Sequence, residues 1–372
     1  MKILVTGDFC PQYRVTKIFE KGEYESVLGE VKNVVSEADY SIVNFECPVI
    51  RGGENPIEKC GPNLYGSDKA IDAVKWAGFN CLTLANNHIL DYGKEGVVHT
   101  IQACEKYDID TVGVGLNLND ASHVVYKYIK EKTLAIINCC EHEFSIATED
   151  TAGSNPLNPI QQYYAIRAAK EKADFVLVIV HGGHELFQLP SLRMQEIYRF
   201  FIEAGADAVV NHHQHCFSGY EVYKNRPIFY GLGNFCFDNP LYRGAIWNEG
   251  FLLELNLKDG KEIDFTLHPY KQCDEKPGVF FLNNLSDFTK RIAELNSIIG
   301  NKNLLNKKNE EYYETTKAWE LQLFEPYCNK ILNKLFSMRL LPSLMTKKRI
   351  LNIWNHIECE SHRDKLIYAF KH

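Results

Sequence analysis

The sequence predicts an α/β domain followed by a helical extension, and three observations carry that expectation. Short runs rich in β-branched and other apolar residues alternate with stretches of helical periodicity over residues 1–280. Several of those runs are apolar throughout, as strands covered on both faces are. From about residue 281 the strand patterns stop, and Leu, Ile, Lys and Asn dominate to the end. The domains expected are therefore 1–280 and a helical C-terminal extension, 281–372.

The first run, KILVT (2–6), opens the chain and breaks at Gly7-Asp8. YSIVNF (40–45) and FNCLTLA (79–85) follow, separated by helix-like stretches near 23–37 and 68–77. After a helical stretch near 93–107 come TLAIIN (133–138) and DFVLVIV (174–180), with a helix near 161–172 between them. DAVV (207–210) follows a helix near 191–204, and PIFYG (227–231) comes next. GFLLELNL (250–257) and IDFTLH (263–268) have no helix between them and read as late antiparallel strands.

The bulk properties are those of a globular protein. The chain has 372 residues, 45% hydrophobic and 24% charged, with a net charge of -7. That balance gives no electrostatic reason to expect nucleic-acid binding. MKILVTGDF turns polar too soon for a signal peptide, and no run reaches the roughly 18 apolar residues of a membrane span. A soluble, cytoplasmic protein without a transmembrane segment is the expectation. Twelve cysteines include no CxxC pair, and many sit inside apolar runs, as buried reduced thiols do. Residues 281–372 carry fifteen basic and ten acidic side chains, a net +5, against -12 for the rest. Within them 326–345 (PYCNKILNKLFSMRLLPSLM) spaces apolar residues helically between basic ones. It reads as a helix packed on the domain, or as a basic amphipathic surface for a membrane-associated synthase partner.

Function in an α/β sheet collects in the loops beyond the strands' carboxyl ends. Six runs in order end in Gly7-Asp8-Phe9-Cys10, Asn44-Phe45-Glu46, Asn86-Asn87-His88, His181-Gly182-Gly183-His184-Glu185, Asn211-His212-His213-Gln214-His215 and Leu232-Gly233-Asn234. One polar strand end is usually a cap or a turn residue. Six together are costly to desolvate unless something binds them. Imidazoles with carboxylates suit a pair of divalent cations, Zn, Fe or Mn.

GD (7–8), NFE (44–46), NNH…DYG (86–93), HGGHE (181–185), HHQH (212–215) and FYGLGNF (229–235) resemble, in order and spacing, the motifs of the CapA/PgsA capsule-synthesis family over roughly residues 1–240. That family is associated with poly-γ-glutamate biosynthesis, and its domain is similar to calcineurin-like metallophosphoesterases. The resemblance implies a four-layer αββα sandwich. It makes Asp8 and His215 ligands of a first metal, Glu46 the bridging carboxylate, and Asn87, His181 and His213 ligands of a second. His88 is then the proton donor to the leaving group. Asp91 and Gly93 are expected to cap and start the next helix, with Asp91 also orienting His88.

Two positions depart from the phosphoesterase pattern. Cys10 stands where an imidazole is usual, so either a thiolate binds the first metal or the thiol is buried. Glu46 stands in place of a shorter Asp. His184, Glu185 and Asn234 match the family and are expected at the substrate or in loop roles. His212 should point away from His213 by strand alternation. Lys59 and Arg243 lie in loops and read as solvated surface cations, or as groups that meet an anionic substrate. The expected function is a metal-dependent hydrolase or transferase in capsule or poly-γ-glutamate production, acting on an anionic polymer or a phosphorylated small molecule. The other reading is a non-catalytic, metal- or polymer-binding accessory subunit of a polymer synthase.

Overall fold

The computed structural model describes residues 1–258, 263–322 and 329–371. Two mixed sheets stack face to face. The first runs in the order 279–281, 264–272, 249–256, 2–9, 40–45, 81–83, 110–112, with 234–236 also paired to the strand Lys2–Phe9. The second runs 220–223, 226–229, 208–212, 175–181, 132–140, 125–129.

Strand alternation sorts the apolar side chains into three layers. Ile3, Val5, Ile42, Ile136, Leu177, Ile179, Val210 and Phe251 meet between the sheets. Leu4, Phe9, Val43 and Leu82 point the other way, onto the helices Tyr13–Glu20, Glu25–Ser36, Asp68–Ala77 and Gly93–Lys106 through Val15, Phe19, Leu28 and Val74. Ala135, Ile137, Val176, Val178 and Val209 face the helices Pro159–Lys170 and Leu192–Ala204 through Ile166, Tyr198 and Phe201. Helix, sheet, sheet, helix is the four-layer order expected, and every strand apolar on both faces is covered on both.

Local chemistry sets the boundaries. Asn158 accepts from the backbone of Ile160 and Gln161, and Pro159 opens its helix, so that helix starts before the expected residue 161. Gly78, at φ 95°, ends Asp68–Ala77 in a left-handed turn that favours glycine. The run 79–85 supplies only Cys81–Thr83 as strand, because its later residues turn into the Asn86-Asn87-His88 loop. The helix Tyr13–Glu20, which buries Val15 and Phe19, was not expected. The late strands 249–256 and 264–272 pair antiparallel in full register.

Beyond residue 281 the described residues form the helices Ser286–Ile299, Lys302–Gln322, Lys330–Ser337, Lys347–Glu358 and Glu360–Lys371. Of the segment 326–345, residues 326–328 lie outside the described residues. The remainder exposes Ile331, Met338 and Leu340. No helix among the described residues is long and apolar enough to cross a membrane.

Candidate metal centre

The strands Lys2–Phe9, Tyr40–Phe45 and Cys81–Thr83 run parallel in one sheet, and Lys132–Cys140, Phe175–His181 and Ala208–His212 run parallel in the other. Their carboxyl ends meet at one edge of the sandwich. The register of Lys2–Phe9 slips on both sides of Asp8, a bulge that re-aims its side chain. Gly7 permits the bulge: a Cβ there would stand 1.8 Å from the Gly233 carbonyl oxygen, which accepts from Asp8 N at 3.2 Å.

Two donor sets share one carboxylate. Asp8, Glu46 and His215 form one, and Glu46, His181 and His213 form the other, each with its donor atoms within 4.8 Å of one another. Glu46 Oε1 lies 3.4 Å from His181 Nε2 and 3.7 Å from His215 Nε2. His181 Nε2 also lies 3.0 Å from Asn87 Oδ1 and 3.1 Å from His213 Nδ1. Four lone-pair atoms thus crowd one point, and a single proton cannot satisfy them. Glu46 is fully buried, and neither of its oxygens has a hydrogen bond among the described residues. Such a group is expensive without a cation. The donor set, carboxylate, imidazole and amide oxygen, fits divalent Mn, Fe or Zn, with Glu46 as bridge, Asp8 and His215 on one side, and Asn87, His181 and His213 on the other.

The backbone pays for this convergence in strain. His213 and His215 both take positive φ, 86° and 54°, where side chains other than glycine are uncommon. Two left-handed residues in one turn bring both imidazoles to the same side. His212 takes the other direction, its Nε2 3.0 Å from the Thr6 carbonyl, as alternation requires. Asn44, not singled out in the sequence, donates to Asp8 Oδ1 at 2.7 Å and meets His181 Nδ1 at 3.3 Å, so one amide orients a ligand on each side.

Burial and proximity set the charges. Burial and the repulsion of Asp8 push Glu46 well above the ordinary carboxylate range. Burial opposes ionisation of Asp8, but the His215 hydrogen bond and the surrounding imidazoles hold it low. Burial and His213 push His181 well below an ordinary imidazole. Burial also disfavours charge on His215, yet Glu46 and Asp8 raise it to about 10.

Beside this cluster His88 Nδ1 lies 2.7 Å from Asp91 Oδ2. Lys59 pairs with Asp91 and stands 3.2 Å from His88 Nδ1, its side chain only 3% exposed. Lys59 is therefore no surface cation; nothing in its loop sequence marks it. Asp91 does not cap the next helix, whose N-cap position is Tyr92 without a side-chain cap. Its carboxylate is used instead by Lys59, His88 and the Leu64 amide. Asn86 holds the turn, donating to the Phe45 carbonyl at 2.9 Å and accepting from His88 N at 3.1 Å.

Three expected positions sit elsewhere. Cys10 lies in the apolar core under the first sheet, its thiol 3.3 Å from Gln12 Nε2, outside both donor sets. Asn234 is fully buried, accepting from His215 Nδ1 at 2.9 Å and donating to the Trp247 carbonyl at 3.1 Å, so it orients His215 and leaves Nε2 toward Glu46. His184 is buried against the helix Lys302–Gln322, where its Nε2 meets the Tyr313 hydroxyl at 3.2 Å. Glu185 remains exposed at the mouth.

The strand Lys132–Cys140 also ends in polar residues, and these bind the extension. Glu141 accepts from Arg193 Nη2 at 2.8 Å and from the Ser361 hydroxyl. His142 Nδ1 meets Glu360 at 2.6 Å, and Glu143 accepts from Asn355 at 3.2 Å. The signal, Glu-His-Glu at a seventh strand end, was present in the sequence.

Residues 2–239 match the family model described as bacterial capsule synthesis protein PGA_cap. The chain is 34% identical over 267 residues to the capsule biosynthesis protein CapA of Bacillus anthracis, covering 70% of this chain and 64% of that protein. It is 32% identical over 266 residues to the PGA biosynthesis protein CapA of Bacillus subtilis (strain 168), covering 71% and 69%. The chain thus spans just under two thirds of the length of the Bacillus anthracis protein. A solved 5'-nucleotidase precursor from Thermus thermophilus is a more distant likeness, at 12% identity and a TM-score of 0.40 over 76% of this chain and 54% of that one. With the family model spanning all the strand ends that build the candidate metal centre, the chain belongs to the bacterial capsule synthesis protein PGA_cap family.

Proposed function

We propose that the chain is a metal-dependent hydrolase or transferase, with a phosphoesterase-like dinuclear centre, that acts in capsule or poly-γ-glutamate production. The observation that carries the reading is the sharing of Glu46 between two donor sets while both its oxygens lack hydrogen bonds among the described residues. Two cations held there would activate a water and polarise the bond to be broken. His88 lies beside them. Asp91 and Lys59 both meet its Nδ1, which leaves Nε2 to hand a proton to the departing oxygen or nitrogen. Burial and Lys59 hold its pKa down, while Asp91 opposes that shift. The test is hydrolysis of an aryl phosphate ester with added Mn, Fe or Zn. The reading predicts turnover that is lost with the second metal in His181→Ala; full turnover in a metal-free His181→Ala protein would refute it.

A second reading, an accessory subunit of a membrane-associated polymer synthase, is favoured by the basic helix Lys330–Ser337, which leaves Ile331 74% exposed. Elemental analysis separates the two. Two cations per chain with turnover support the enzyme; neither supports the subunit.

A further inference from the structure

A second group of cation donors shares no residue with the Glu46 sets, and two of its three members lie outside the family-matched residues 2–239. Glu143, Cys359 and His362 place a carboxylate oxygen, a thiol sulfur and an imidazole nitrogen within 4.8 Å of one another. Glu143 belongs to the loop beyond the core strand Lys132–Cys140. Cys359 stands in extended conformation between the helices Lys347–Glu358 and Glu360–Lys371, and His362 lies in the first turn of the latter, in the run Cys-Glu-Ser-His. Cys359 is fully buried, while the His362 and Glu143 side chains retain 21% and 10% exposure, which leaves a way in.

The neighbours are suited to the role. Asn355 Nδ2 bridges the other two, 3.2 Å from Glu143 Oε1 and 3.0 Å from His362 Nδ1, taking the lone pairs a cation would take. Its Oδ1 is buried and has no hydrogen-bond partner among the described residues. Glu141, 4.0 Å from the Cys359 sulfur, is already engaged by Arg193, Ser361 and the Gly183 amide. We propose that Glu143, Cys359 and His362 bind a borderline-soft divalent cation of the zinc class, which fastens the C-terminal helices to the core. Thiolate with imidazole and carboxylate selects such a cation over Mn or Mg, and three protein ligands leave a fourth position for water or Asn355 Oδ1. Binding releases the Cys359 proton to solvent, and no electron changes hands.

The test is a Co(II) titration of the chelator-treated full-length protein, followed by near-ultraviolet absorption. A thiolate-to-cobalt charge-transfer band should grow in the wild type, because Cys359 supplies sulfur. Cys359→Ser should abolish the band and lower cobalt content by one equivalent per chain; His362→Gln, a milder change, should weaken the affinity read from the band roughly tenfold or more. Cys10→Ser should leave the band intact. No band in the wild type overturns the proposal, as does a band that survives Cys359→Ser. Loss of the band in Cys10→Ser but not in Cys359→Ser would assign the thiolate to the centre at Asp8 and likewise overturn it. Phosphoesterase turnover is not a readout, so failure of the proposed chemistry leaves this result standing.

Discussion

His181 Nε2 lies 3.4 Å from Glu46 Oε1, with the two residues held at the carboxyl ends of strands in opposite sheets. The contact joins the halves of the sandwich at the edge where the ligands converge. Under the proposed dinuclear centre, Glu46→Gln should therefore affect both cations at once. The expected result is loss of both from the centre in elemental analysis at micromolar metal, whereas Asn87→Ala should release only the second.

Chelation should cost stability as well as metal. A ligand present at 100 times its dissociation constant stabilises the native state by about 2.7 kcal/mol. For a chain of this size that is a fall in melting temperature of several degrees on adding a strong chelator, reversed by Mn or Zn. Calorimetry checks this, and an unchanged transition would mean that the Glu46 cluster holds its charge without cations.

The Lys59–Asp91–His88 group separates binding from turnover. His88→Ala should keep both cations and lower kcat about 10²- to 10⁴-fold. Lys59→Met should fall between that variant and the wild type, with metal content unchanged, since Lys59 acts through Asp91 and His88 and does not ligate. Steady-state kinetics with metal analysis on the same samples reads both.

Gly7→Ala should disable the site from a distance. Its Cβ cannot coexist with the Gly233 carbonyl at 1.8 Å, so either Lys2–Phe9 or Asn234–Cys236 must move. A loss of roughly 3 kcal/mol is expected, together with weaker metal binding through displaced Asp8 and Asn234. Denaturant unfolding checks the first effect and metal titration the second.

The latch between core and extension rests on Arg193, which donates to Glu141 at 2.8 Å and to Asp364 at 3.0 Å. Arg193→Met leaves the buried Glu141 without its cation, a change worth about 3 kcal/mol where a buried pair is broken. Hydrogen exchange should quicken over residues 347–371 in this variant while the strands Lys132–Cys140 and Phe175–His181 remain protected.

Much of this was legible because chemistry and folding used the same positions. The runs at 2–6, 40–45 and 174–180 are largely apolar, so an α/β arrangement with both strand faces covered follows from burial, whereas the four-layer sandwich was implied by the family resemblance; the polar residues that end the runs had no folding reason to be there. The roles that sequence missed depend on contacts far along the chain. Lys59 was noted only as a loop cation, and its approach to Asp91 and His88 gives it a buried role. Asn234 and His184 carry the same motif whether they touch substrate or orient a neighbour; their burial against Trp247 and Tyr313 decides. Cys10 departs because its side chain falls on the helix-covered face of the first sheet, beside Gln12, and not at the edge where the ligands meet.

The most direct test of the central claim is anomalous scattering at the Mn, Fe and Zn edges on crystals grown with those metals. The account predicts two peaks about 3.5–4 Å apart, with Glu46 between them, Asp8 and His215 on one, and Asn87, His181 and His213 on the other. A single peak that Glu46 does not touch, or no peak among these residues at saturating metal, would contradict it.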